Sequence, residues 1–96
     1  EEDFKNGLKQ SSPLIESYFN DSDKGRNILE IGCSWGYFLD LIKNNGANPY
    51  GVELNKVRTK YVNEHLNIPC FGSLEELISK NIKFKKEVAQ VLRQLK

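Results

Sequence analysis

Residues 28–38, Ile-Leu-Glu-Ile-Gly-Cys-Ser-Trp-Gly-Tyr-Phe, constrain the fold more than any other stretch of this chain. They read as a buried strand, Asn27 to Ile31, running through a glycine turn into a helix, Gly36 to Asn45. Phe38, Leu39, Leu41 and Ile42 of that helix are available for burial. About twenty residues on, a second strand, Pro49 to Leu54, carries Tyr50-Gly51-Val52 and then the carboxylate of Glu53. Strand, turn, helix and strand in that order imply parallel strands joined by a right-handed crossover.

The rest of the chain extends the alternation. Residues 1–10 carry only Phe4 and Leu8 as apolar anchors. Ser12 and Pro13 start a helix whose apolar face is Leu14, Ile15, Tyr18 and Phe19. Asp21 to Gly25 is a polar loop, and Asn45-Gly46 stops the first crossover helix. Asn55 caps a second helix running to about Leu66, with Val57, Tyr61 and Val62 inward. Ile68 to Phe71 is a third strand. Ser73-Leu74-Glu75-Glu76 is a capping box opening a short helix to Lys80. Ile82-Lys83-Phe84 is at best a strand stub. From Lys85 to Lys96, Val88, Val91, Leu92 and Leu95 fall at helical spacing and predict a last helix. The chain is one unit: residues 1–26 a helical segment, 27–80 a βαβαβα core, and 81–96 a stub with a C-terminal helix.

Bulk properties exclude several classes. The net charge is +1, from 14 basic and 13 acidic residues, which leaves no electrostatic footprint for nucleic acid or an anionic membrane. No apolar run approaches the roughly 20 residues of a membrane span, and no signal-peptide pattern is visible, so a cytoplasmic location is expected. The two cysteines, Cys33 and Cys70, make no metal-ligand pattern; they read as buried thiols, with a disulfide disfavoured because nothing signals secretion. The chain starts at Glu1 and has no methionine, so it is expected to be trimmed or a piece of a longer protein.

The turn after the first strand and the acid after the second make a nucleoside-binding half-site. Gly32, Ser34 and Gly36 let a ligand approach the backbone, Glu53 is placed to accept from ribose hydroxyls, and the amides opening the helix favour an anion. The dinucleotide fingerprint G-x-G-x-x-G/A counted from Gly32 would need a small residue at 37. Tyr37 stands there and disfavours an NAD-binding oxidoreductase. The alternative pattern, acid-x-G-x-G-x-G, is matched by Glu30, Gly32 and Gly36, with Ser34 in place of the middle glycine.

With LEIGC-x-x-GYFL and YGVE, the chain resembles class I S-adenosylmethionine-dependent methyltransferases, especially small bacterial members, over about Asn27 to Glu76, roughly half its length. The resemblance implies an α/β, Rossmann-like parallel sheet, truncated to strands one to three with a possible stub of strand four. It implies S-adenosylmethionine as cofactor and a small-molecule or sugar-like methyl acceptor. Carried over by position, Glu30, Gly32, Cys33, Ser34, Gly36 and Tyr37 fall in or beside the first motif, and Glu53 is the ribose acid. The resemblance also implies that Leu54 would pack on the adenine, with Ser73 and Leu74 in the adenine-side turn. Ser73 stands where the family often has aspartate. No residue is assigned a catalytic role and no metal is implied. Glu30 is expected to act indirectly, by organising the loop. Trp35 is open to stacking on a ligand or to packing, Tyr37 is expected to pack or hydrogen-bond near the cofactor, His65 to be a solvated helix-end residue, and the lysines at 80, 83, 85, 86 and 96 to form a solvated face.

The resemblance weakens after Phe84, where Lys85-Lys86 opens a helix instead of continuing a strand. Residues are absent between Phe84 and Lys85, or the fourth unit is abbreviated. In the family's strand order, 3-2-1-4-5-7-6, strand one is central, so a chain ending on a stub leaves that strand a bare edge and invites self-association. Little activity is expected from such a half. The rival reading of another class is a non-catalytic nucleotide-binding or interaction module that kept the half-site.

Overall fold

Asn27–Ile31 forms β1, the strand the expectation placed there, and Ile28, Leu29 and Glu30 at its middle are buried. The computed structural model describes residues 19–89. The helix expected from Ser12, apart from Phe19, and the last seven residues of the expected C-terminal helix lie outside them. In chain order follow α1 (Tyr37–Asn44), β2 (Asn48–Val52), α2 (Lys56–Glu64), β3 (Cys70–Phe71), α3 (Leu74–Ile78) and β4 (Lys86–Ala89). The four strands are all parallel, in the order β3-β2-β1-β4, an α/β Rossmann-like arrangement.

Strand alternation assigns the two faces of β1 to two cores. Ile28 packs with Phe38, Leu39 and Ile42 of α1 and Val62 of α2, joined by Cys33, Ala47, Ile68 and Cys70. Leu29 packs with Val52 and with Leu77 of α3, and Ile31, Tyr50, Phe71 and Phe84 lie against them. So α1 and α2 cover one face and α3 the other. Crossovers of one hand require this. The chain moves outward from β1 to β3, then back past β1 to β4, and reversing direction moves the connecting helix to the opposite face. At eight residues α1 is too short to persist alone. Full burial of Phe38, Leu39 and Ile42, at about 2 kcal/mol each, holds it.

The fourth strand corrects two expectations. Lys86–Ala89 is a strand, not a helix, and Ile82–Phe84 is a connection rather than a stub. β4 pairs with β1 in register Ile28↔Lys86, Leu29↔Glu87, Glu30↔Val88 and Ile31↔Ala89. The bare β1 edge that motivated self-association is therefore covered, and no extra residues are needed after Phe84 to cover it. The reason is energetic. Leaving buried backbone groups of β1 unpaired would cost roughly 1–3 kcal/mol each, whereas intrinsic helix preference is worth only tenths of a kcal/mol per residue.

A buried ion cluster pins the strand's start. Asn20 caps a short 3-10 turn, Asp21–Asp23, within the expected loop. The fully buried Asp23 carboxylate accepts from Lys85 Nζ (2.7 Å), Lys86 Nζ (2.7 Å) and the Asn20 amide (2.9 Å). The Lys85 amide bonds to Asn27 O at 2.9 Å, which opens the β1–β4 ladder. Lys85 and Lys86 are thus ligands of a buried acid rather than part of a solvated face.

Smaller differences are local. β3 is only two residues, α2 ends at Glu64, and Gly36 caps α1 rather than starting it. Val57, expected inward, is 67% exposed, because the Asn55 cap orients the first turn of α2 and puts Val57 outside. Among the described residues no helix is long and apolar enough to cross a membrane.

Asp23 makes stability acid-sensitive. Burial alone would raise its pKa, but hydrogen bonds from Lys85, Lys86 and Asn20 outweigh this and lower it from 3.8 to about 2. A lowered folded-state pKa gives stability that is present above pH 3.8 and lost as pH falls through about 2. Its size is roughly 2 kcal/mol. In urea denaturation followed from pH 6 to pH 2, Asp23→Asn should remove this part of the acid sensitivity and lower stability at pH 6 by about 2 kcal/mol.

Candidate functional site

The carboxyl ends of β1 and β2 meet at the turn expected to carry function. The amides of Gly32 and Cys33 both donate to Val52 O, at 2.8 and 3.2 Å, so the turn begins fastened to the end of β2. Gly32, Ser34 and Gly36 then adopt positive φ, at +74°, +57° and +82°. The acid-x-G-x-G-x-G spacing corresponds here to three left-handed residues at alternate positions. Ser34 takes the conformation that glycine would take more cheaply, a local strain of about 1 kcal/mol.

Glu53 compensates for that strain. Its Oε1 accepts from the Ser34 amide at 2.9 Å and its Oε2 from the Asn55 amide at 2.8 Å. The carboxylate bridges the turn after β1 and the start of α2. Thr59 Oγ1 donates to Glu53 O at 2.6 Å, fixing the backbone from below. Each carboxylate oxygen has a second acceptor direction, so capacity remains for a ligand's hydroxyls.

The other expected residues divide into those at the strand ends and those in the core. Leu54 is 77% exposed just beyond β2, and Leu74 is 48% exposed just beyond the neighbouring β3. A shallow groove lined by Leu54, Thr59, Asn63 and Gly72 runs beside them. Ser73 caps α3, its Oγ accepting from the Glu76 amide at 3.1 Å, so the hydroxyl is already engaged. Tyr37 is half-buried at the first turn of α1. Glu30 is fully buried on β1, and the Cys33 side chain is in the core, leaving the Cys33 backbone at the turn.

Beside the turn, Tyr61, expected inward, meets side chains that the sequence marks only by their residue types. Trp35 lies edge-on to Tyr61, ring centres 5.4 Å apart, with the Arg58 guanidinium 5.5 Å from its ring centre. His65, exposed at the end of α2, stacks on Tyr61 at 4.9 Å. Asn63 clamps β3 by giving Nδ2 to Cys70 O and taking the Cys70 amide on Oδ1, both at 2.8 Å. A polar residue seven positions before a short strand marks such a clamp only once the register is known.

No protein-family model matches the chain, and no curated protein matches it. Its structure is similar to that of a TehB-like SAM-dependent methyltransferase from Corynebacterium glutamicum, with TM-score 0.59 and 16% identity over 90% of this chain and 53% of that one. It is also similar to the bifunctional kinase-methyltransferase WbdD, with TM-score 0.53 and 16% identity over 88% of this chain and 20% of that one. The chain thus spans about half the length of the first and a fifth of the second. At these identities the likeness is one of fold: a Rossmann-like parallel α/β sheet.

Gly36 is the turn's packing constraint. A Cβ there would lie 2.7 Å from Leu66 Cδ1 and 3.1 Å from Val62 Cγ2, on a backbone already left-handed. Gly36→Ala should therefore cost about 2 kcal/mol in urea denaturation, with near-normal far-ultraviolet circular dichroism for the fraction that folds.

Proposed function

We propose that this chain is the cofactor-binding half of an S-adenosylmethionine-dependent methyltransferase acting on a small-molecule or sugar acceptor. The observation that carries the reading is Glu53, whose carboxylate stands at the end of β2 against the amide of the left-handed Ser34. The donor set suits this cofactor. A fixed carboxylate fits a ribose diol, a left-handed glycine turn fits the amino-acid portion, and exposed Leu54 and Leu74 on neighbouring strand ends fit an adenine ring. With Ser73 Oγ committed to its cap, the adenine edge would be met by backbone at that turn.

The bound cofactor supplies an electrophilic methyl group on a sulfonium. The residues of this chain bind and orient. Glu53 accepts from the ribose hydroxyls through its remaining lone pairs, and Gly32 and Ser34 keep side chains out of the ligand's path. Glu30, buried beneath the turn, supports it from β1. Positioning supplies most of what such a transfer needs, because the leaving group is already charged. Acceptor selection and any base are assigned to parts of the parent protein beyond this half, so the chain by itself should show little activity.

Isothermal titration of the chain with S-adenosylhomocysteine and, separately, with NAD tests the reading. Saturable binding of the first and none of the second is expected. Glu53→Gln keeps an acceptor for the Ser34 amide but loses the charge. It should weaken S-adenosylhomocysteine binding about 10- to 100-fold, the worth of charge-assisted hydrogen bonds. Binding of NAD alone, or an affinity unchanged by Glu53→Gln, would overturn the assignment. Binding of neither ligand would favour the non-catalytic module.

A further inference from the structure

Cys33 and Cys70 are 37 positions apart in sequence, yet their sulfurs lie 3.6 Å from each other. Cys33 belongs to the turn after β1, and Cys70 to β3, two strands away. Between them runs β2, and the residue in between is Gly51, which is in register with Cys70. A Cβ on Gly51 would sit 2.7 Å from Cys33 Sγ and 3.3 Å from Cys33 Cβ. The missing side chain at 51 is the opening through which Cys33 reaches across β2. A Cβ there would also meet Leu39 Cδ1 at 2.8 Å, so it would displace the Cys33 sulfur, the Leu39 methyl or both.

We propose that Cys33 and Cys70 are a reversible thiol–disulfide pair, a modification site that fastens the glycine turn to the edge strand β3 when the chain meets a hydroperoxide. The sulfurs need to close by about 1.5 Å to reach the bonded distance near 2.05 Å. Cys70 is the sulfur placed to react first. It sits on a two-residue edge strand, and it is the less deeply buried of the two. Its pKa is lowered, chiefly by the hydrogen bond with Cys33 and also by one from Thr59. The Cys33 pKa is raised by that same hydrogen bond, by burial and by the carboxylates of Glu30 and Glu53. Cys70 thiolate attacks a peroxide oxygen, the O–O bond breaks, and Cys70 sulfenic acid and water or alcohol form. Cys33 sulfur then attacks Cys70 sulfur, and the hydroxyl leaves as water with the Cys33 proton. Two electrons pass from the sulfurs to the peroxide, and a thiol reductant reverses the change.

Both cysteines belong to the core, and Trp35, two residues from Cys33, is the chain's only tryptophan and can report on the turn. The purified chain is treated with a small excess of hydrogen peroxide, quenched, alkylated under denaturing conditions and weighed intact. The expected product is a monomer lighter by two hydrogens, with neither thiol alkylated. Digestion should join the peptide Asn27–Lys43 to Tyr61–Lys80. Trp35 emission should shift on oxidation and return with dithiothreitol. In Gly51→Ala, checked for folding by circular dichroism, the bond should form at least 10-fold more slowly. Two fully alkylated thiols after peroxide would overturn the proposal, and so would products confined to linked dimers or to sulfinic and sulfonic acids. An unchanged Trp35 emission in the bonded form would overturn its hold on the turn. Should Gly51→Ala not fold, the mass and peptide results on the wild-type chain decide.

Discussion

A strand buried on both faces must also be hydrogen-bonded on both edges, and β1 sets this demand for the whole sheet. Ile28, Leu29 and Glu30 have no solvent to fall back on, so their backbone groups need β2 on one side and β4 on the other. The first partner comes by a short crossover through α1. The second comes from far along the chain and has little local inclination to be a strand. Asp23 resolves this by gathering Lys85 and Lys86 on one buried carboxylate just before β1 begins. An uncompensated charge at Asp23 would be costly, so the two lysines have to be there, and their arrival sets the register of β4.

From that double pairing follows the position of the site. The chain leaves β1 toward β2 with its helices on one face, and reaches β4 from β3 with α3 on the other. The strands flanking β1 therefore receive their connections from opposite sides, which leaves the end of β1 uncovered. Ligands of open parallel sheets bind at such a point. The turn bearing Gly32, Ser34 and Gly36 occupies it because the topology leaves room nowhere else along β1.

The geometry of the glycine turn was more legible in the sequence than the sheet's far edge was, and for a physical reason. Gly32, Gly36 and Glu53 report themselves because each answers a local demand: a positive φ, a close helix approach, or an acid at a strand end. Asn55 and Ser73 are visible as caps for the same reason. β4 was not visible, because Val88, Val91, Leu92 and Leu95 keep a helical spacing and only Val88 lies on the described strand. What makes Lys86–Ala89 extended is an edge and an acid more than fifty residues earlier. Val57 misleads in the same way: its spacing suits burial, but the Asn55 cap rotates it out.

Two side chains keep the glycine turn in its left-handed course, and they act from different sides. Glu53 holds the Ser34 amide at the carboxyl end of the strands, where its oxygens keep further acceptor directions. Cys33 holds the turn from beneath, through the core and past Gly51 to Cys70. The first contact is polar and half-exposed, so it can be shared with a hydroxyl group without being broken. The second is buried and of one geometry, so it can only be kept or converted to a covalent bond. Strain stored at Ser34 persists because both contacts oppose its release. Under the proposed function, such a turn could accept a ligand without rearranging, because one contact can be shared and the other lies in the core.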